Sequence, residues 1–381
     1  MKKFLLSAAV AAALGLPGAA LAQSNEIVVG ITISTTGPAA ALGIPERNSL
    51  EFVAKEIGGV PLKVIVLDDA GDPTTATTNA RRFVTESKAD IIMGSSTTPP
   101  SIAVANVAAE ANVPHFGLAP FPITPERAKW SVSMPQPIPI IGKVMYDHMK
   151  KNNVKTIGYI GYSDSYGDLW FNDVKNQAVP MGMNVVAEER FARPDTSVTG
   201  QALKLVAANP DAILIGASGT AAALPQATLR DRGYKGLIYQ THGAASMDFI
   251  RIAGPAAEGV LMASGPVMDP EDQPDEAQTK KPGLALNKAY EAKYGANSRS
   301  QFAGHSYDAF LVLERVIPVA LKKAKPGTQE FREAIRQALL TEREIAASQG
   351  VYNFTEKDRY GVDERARILL TVKDGKYTLA K

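Results

Sequence analysis

The chain has 381 residues, 45% of them hydrophobic, with a formal net charge of +2 and no cysteine. The absence of cysteine excludes disulfides, thiolate nucleophiles, cysteine-ligated metal and the lipidated cysteine that tethers many exported lipoproteins. Near-neutrality, with no basic run longer than a pair such as Lys322-Lys323, argues against a nucleic-acid partner.

Residues 1–22 begin with Lys2 and Lys3, continue as a short apolar stretch and end in Ala20-Leu21-Ala22. That pattern predicts an export signal cleaved after Ala22, and hence a protein of the periplasm. The remaining residues suffice for two domains of ordinary size.

From residue 26 the sequence alternates short β-branched runs with longer amphipathic ones. Strands are expected at 26–33, 62–67, 89–93 and 113–116, with helices at 47–57, 75–86 and 101–111. After a proline-rich passage over 120–139 the rhythm resumes. Strands are expected at 156–162, 184–191, 212–215 and 237–239, with helices at 166–178, 199–208, 220–232 and 245–252. An irregular acidic passage, 265–282, precedes helices at 284–294, 301–323 and 328–340 and closing strands at 351–354, 366–372 and 376–379. The predicted fold class is α/β, with two doubly wound parallel-sheet lobes joined by a three-segment hinge. One lobe takes 23–138 plus 267–343, and the other takes 139–266 plus 344–381.

Four hydroxyl residues, Ser95, Ser96, Thr97 and Thr98, lie between a predicted strand and the alanine-rich helix after it. A helix N-terminus offers free N–H groups and the positive end of a dipole, so this turn reads as an anion cradle. Ligands of open α/β sheets bind outside the carboxyl ends of the strands, which adds 35–36, 117–121, 163–166, 218–219 and 241–242 as candidate lining.

The other chemistries have weaker support. His115, His148, His242 and His305 show no metal-binding spacing, and no phosphate or dinucleotide fingerprint occurs, so neither metal nor cofactor is expected. Segments 94–98 and 216–220 come near the G-x-S-x-G elbow but lack its last glycine. An exported serine hydrolase using Ser96 or Ser218 with His242 is therefore a remote alternative, and no enzyme is expected. Asp68, Asp69 and Asp72 read as turn and cap residues. His115 reads as a core residue. Phe302 and Tyr307, at helical spacing with Phe310, read as core more readily than as lining.

Several short marks occur in a recognisable order. They are Gly30-Ile31-x-x-Ser34, the run from Thr36-Gly37-Pro38 to Leu42-Gly43, Asp68-Asp69-x-x-Asp72-Pro73, Gly94 through Pro114, Asp164-Ser165-Tyr166-Gly167 and Ser306-Tyr307-Asp308-Ala309. With them the chain resembles, over nearly all of its length, the periplasmic substrate-binding proteins of ABC importers in the leucine/isoleucine/valine-binding family. The resemblance implies a type I two-lobed fold, a membrane permease as partner, and a monomer closing on a small-molecule ligand. It also implies that hydroxyls and backbone N–H groups at Ser96, Thr97 and Thr98, with backbone groups at Ala119 and Phe121, hold a ligand carboxylate. Leu42 and Tyr166 match further contact positions. Ser218, Gly219 and His242 join them as strand-end candidates, although His242 reads equally well as a loop residue bonded to backbone.

One departure bears on the ligand. Amino-acid binders of that family carry an acidic side chain, for the ligand's α-ammonium, in the loop matching 240–245. Here that loop reads Gln-Thr-His-Gly-Ala-Ala. A buried ammonium without a carboxylate is costly. The expected ligand is a small carboxylate without an α-amino group, with an aromatic acid or 2-oxo acid favoured and the aromatic-acid-binding subgroup the matching branch. An amino acid bound by the same fold is the alternative.

Overall fold

The computed structural model describes residues 26–380. The predicted export signal lies outside them. Strand β1 (Ile27–Ile33) is fully buried and forms the centre of the first sheet. Helix α1 (Ala40–Ser49) follows, then a hairpin of β2 (Glu56–Ile57) and β3 (Val60–Asp68). The expected helix at 47–57 is thus displaced. Gly43 lies inside α1, where a Cβ would come within 2.2 Å of the Ser34 carbonyl. Gly58 and Gly59, both at positive φ, turn the chain where the helix was expected to end.

Helix α2 (Pro73–Thr85) is capped by Asp72, whose side chain accepts the Thr75 N–H. Strand β4 (Ile91–Gly94), α3 (Thr98–Ala111) and β5 (His115–Gly117) continue the parallel series. The proline-rich passage itself contains α4 (Pro125–Ala128) and a sixth strand, β6 (Ser131–Ser133), unforeseen because three residues with two serines carry no strand signal. The sheet order is β2-β3-β1-β4-β5-β6.

The chain then crosses into the second lobe through α5 (Ile138–Lys151), β7 (Thr156–Tyr162), α6 (Ser165–Asp173), β8 (Asn184–Phe191) and α7 (Thr199–Ala208). It goes on through β9 (Ala212–Gly216), α8 (Ala223–Asp231), β10 (Leu237–Gln240), α9 (Met247–Ala253) and β11 (Leu261–Ser264). It returns as α10 (Lys280–Tyr294), α11 (Gln301–Leu321) and α12 (Gln329–Thr341), followed by the small hairpin β12 (Ile345–Ala346) and β13 (Val351–Tyr352). Strands β14 (Ile368–Lys373) and β15 (Lys376–Leu379) complete a seven-stranded second sheet, ordered β15-β14-β11-β10-β9-β7-β8.

The cores refine the expected lobe boundaries. Ile345, Tyr352, Phe354, Val362 and Ala366 pack with α11 and α12 against the first sheet, although residues from 344 onward were assigned to the second lobe. The β12–β13 hairpin is fastened there by buried Asp308 on α11, which accepts the Ser348 and Gln349 N–H groups at 2.8 and 2.7 Å. Conversely, Val267, Met268 and Leu286 belong to the second core. At the crossings Gln136 donates to Gln349, Gln349 donates to the Gln301 carbonyl, and the Gln301 side chain accepts from Gly265.

Candidate functional site

Both sheets point the carboxyl ends of their strands at one interlobe cavity, with about 300 Å³ of space not occupied by atoms, open solvent included. Its first-lobe wall holds Leu42 on α1, Ser96, Thr97 and Thr98 before and at the start of α3, and Leu118, Ala119 and Pro120 after β5. The second lobe contributes Tyr166, Ser218, His242 and Gly243, and α11 adds Phe302 and His305.

The hydroxyl run is mostly committed inward. Asp69, with no exposed surface, accepts the hydroxyls of Thr32, Ser34 and Ser95 at 2.9, 2.7 and 2.7 Å and the Gly71 N–H at 3.0 Å. Ser96 donates to buried Glu46 at 2.5 Å and accepts the Ser34 N–H at 2.9 Å. Burial holds the Glu46 carboxyl well above the usual carboxylate range. Its second oxygen has no partner in the structure. Thr98 donates to the Pro120 carbonyl at 2.7 Å and so fixes the loop that forms the cavity's edge. Pro99 and Pro100 remove two further N–H donors from the first turn of α3. The run therefore braces the strand ends, and the Thr97 hydroxyl is the one side chain of the four without a hydrogen bond to another described residue. It lines the cavity.

Two expected contacts lie outside the lining. Phe121 is 1% exposed and packs on His115, and its N–H donates to the Tyr360 hydroxyl at 3.2 Å, so it is not free to hold a carboxylate. Gly219 lies at φ 61°, where a Cβ would come within 2.7 Å of a Leu42 methyl. Its lack of a side chain lets the lobes approach across α1. His115 is a core residue, bonded to the Gly94 carbonyl at 2.6 Å and to Ser131 at 3.0 Å.

The second-lobe wall is organised by Asp164. It caps α6 by accepting the Tyr166 N–H at 2.9 Å and pairs with Arg193 at 2.6 Å. Arg193 lies over the Tyr162 ring at 4.0 Å and donates to the Ser218 hydroxyl oxygen at 3.1 Å. The Ser218 hydroxyl hydrogen is thereby left to donate elsewhere. Tyr166 and Thr241 share a hydrogen bond of 2.9 Å, and burial pushes the tyrosine up to about 12. Gly243 is required beside it, since a Cβ would meet the Tyr166 hydroxyl at 2.4 Å.

The two cavity histidines are neutral. Burial pulls His242 and His305 down to about 3; the proximity of His242 lowers His305 further, with the Leu118 backbone partly opposing. His242 packs on Trp170 at 5.7 Å and His305 edge-on to Phe302 at 5.9 Å. Nδ1 of His242 and both ring nitrogens of His305 lack a hydrogen-bond partner at normal geometry. His305 and Gly243 were not among the expected lining, and Phe302, which read as core, lines the cavity instead. The available signal was the Ser300-x-Phe302-x-x-His305 spacing at the start of α11, which places Phe302 and His305 on one helix face.

Because an ordinary histidine binds its proton near 6.5, the unfolded chain protonates first and stability falls as pH drops from 6.5 towards 3. Replacing His305 with Phe removes this dependence for one group. Denaturant unfolding of the two proteins is expected to show the gap between them shifting by roughly 1.6 kcal/mol in the variant's favour from pH 6.5 to 5. A gap independent of pH would mean that His305 is not held neutral.

The family described as periplasmic binding protein matches residues 26–375. An extracellular ligand-binding receptor from Rhodopseudomonas palustris HaA2 superposes with a TM-score of 0.93 at 81% identity, over 93% of this chain and 100% of that one. A Leu/Ile/Val-binding protein homolog 1 of Brucella suis biovar 1 is 26% identical over 74% of this chain and 77% of its own length. An R. palustris solute-binding protein of an ABC transporter, solved in complex with benzoate, shares the fold at a TM-score of 0.78 and 19% identity, over 93% and 95% of the two chains.

Proposed function

Since the chain belongs to the periplasmic binding protein family, a family of solute-binding proteins, we propose that it binds a small carboxylate lacking an α-amino group and delivers it to the permease of an ABC importer. An aromatic acid or a short 2-oxo acid is the favoured ligand. The carrying observation is the cavity's lining, which contains hydroxyls, neutral imidazoles and apolar groups but no Asp or Glu. Glu46 is bonded to Ser96 and Asp164 is paired with Arg193, and neither side chain lines the cavity. Leu42, Tyr166, Phe302 and Leu118 suit a flat or branched apolar body, and the free imidazole nitrogens, the Thr97 hydroxyl and the Ser218 hydroxyl suit oxygen acceptors. The benzoate held by the R. palustris solute-binding protein agrees with this ligand class.

Ser96 and Ser218 each have a non-histidine partner, Glu46 and Arg193 respectively, which offers no support to a hydrolase. The direct test is a thermal-shift series with benzoate, 3-phenylpropanoate, a branched 2-oxo acid, leucine and valine. An acid from the first three present at about 100 times its Kd is expected to add about 2.7 kcal/mol to native stability. Stabilisation by leucine or valine alone would replace this reading with amino-acid binding.

A further inference from the structure

A second concavity, with about 1010 Å³ of open space, lies on the first lobe between the α4 segment, α12 and residues 355–359. It is lined by four basic side chains, Lys129, Arg336, Lys357 and Arg359, and by a single acid, Glu356. The floor is rigid. Trp130 is buried, with the Lys129 ammonium 5.5 Å from its ring centre and the Arg336 guanidinium 5.9 Å away.

Arg359 is the unusual group here. It is only 4% exposed, its Nε donates to the Ser131 carbonyl at 3.0 Å, and its Nη1 reaches the Thr355 carbonyl at 3.4 Å. Its Nη2 has no hydrogen-bond partner. Among the described residues it makes no ion pair, whereas the neighbouring Arg336 is held by Glu333. Asp358 turns instead to the amides of Tyr360 and Gly361. Burial and the charge of Arg336 pull Arg359 down to about 10, with Glu356 and Asp358 only partly opposing them. A guanidinium taken out of water without a counter-charge is a costly arrangement, and an anion in the cleft would relieve it. The unpartnered Nη2 of Arg359, beside the Arg336 guanidinium and the two lysine ammonium groups, suits an oxygen of a carboxylate or phosphate.

We infer that this cleft is a second binding site, which takes a small oxyanion against Arg359, Arg336, Lys129 and Lys357. It is separate from the interlobe cavity and does not depend on the ligand assigned there. The two lie on either side of one loop: Ala119 and Pro120 face the cavity, while Ile123 and Pro125 face the cleft.

The test uses the exported chain with inorganic phosphate and with citrate, each compared with chloride at equal ionic strength. Either oxyanion is expected to raise Tm saturably above the chloride control, phosphate marking a phosphate-type occupant and citrate a carboxylate one. The surface double variant Lys129→Gln/Lys357→Gln is expected to raise the half-saturating concentration about tenfold, and Arg359→Gln to abolish the response. Should Arg359→Gln fail to fold for want of its bond to Ser131, the double variant alone decides. A response equal to that of chloride, or one unchanged in the double variant, would overturn the site. So would competition between the oxyanion and benzoate, which would place it in the interlobe cavity. Benzoate affinity in the double variant is expected to equal that of the wild type, so failure of this site and failure of the interlobe reading give different results.

Discussion

Calorimetric titration with 3-phenylpropanoate and with phenylalanine, which differ only by the α-amino group, is expected to show the amine-free acid binding roughly a thousandfold more tightly. The expectation follows from desolvation. Both ligands bring the same carboxylate and the same ring, so their contacts with Tyr166, Phe302 and Leu42 largely cancel. Phenylalanine also brings an ammonium into a cavity whose lining has no acidic side chain. Two neutral imidazoles with free ring nitrogens can accept a hydrogen bond from it but cannot neutralise it. The uncompensated charge costs several kcal/mol, and about 4 kcal/mol corresponds to that factor. Affinities within tenfold of each other would require Glu46 to leave Ser96 and ionise towards the ligand, and would end the case for an amine-free ligand.

The second large effect is expected at Asp69. Replacing it with Ala strands the hydroxyls of Thr32, Ser34 and Ser95 and the Gly71 N–H, all in the packed junction of β1, β3 and β4. Leaving buried donors without an acceptor costs about 1 to 3 kcal/mol per group, so a loss of about 3 to 5 kcal/mol is expected, visible as a lower denaturant midpoint with an unchanged m-value. Ligand affinity should fall as well, because Ser95 and Ser96 set the path of the chain into Thr97. A loss below about 1 kcal/mol would show that water replaces the carboxylate at little cost, against the usual penalty for unpaired buried groups.

Much of the architecture could be read from pattern alone. The buried runs at β1, β7 and β9 are continuous and apolar, as strands covered on both faces must be, and the amphipathic segments between them give the parallel crossovers. The misread places are those where a long-range contact sets the local structure. Gly43 sits inside a helix where α1 passes against Ser34, and β6 is a strand because β5 offers it an edge. Residues 345–366 pack with the first lobe, where Asp308 fastens the β12–β13 hairpin, before β14 and β15 join the second sheet. The Asp308–Ser348 bond spans forty residues, out of reach of any local signal.

The candidate site divides in the same way. Strand-end position is a property of the chain's order, and it brought Leu42, Ser96, Thr97, Thr98, Ala119, Tyr166, Ser218 and His242 together at one cavity. The absence of an acid from 240–245 is likewise a sequence fact, and it supports the proposed ligand class. What each group has left to offer was decided only in three dimensions, because a hydrogen bond spent on a distant partner leaves no local trace. Ser96 and Thr98 spend their hydroxyl protons on Glu46 and Pro120, and Phe121 its N–H on Tyr360. His305 enters the cavity from a helix some sixty residues beyond His242, brought there by packing that no single segment encodes.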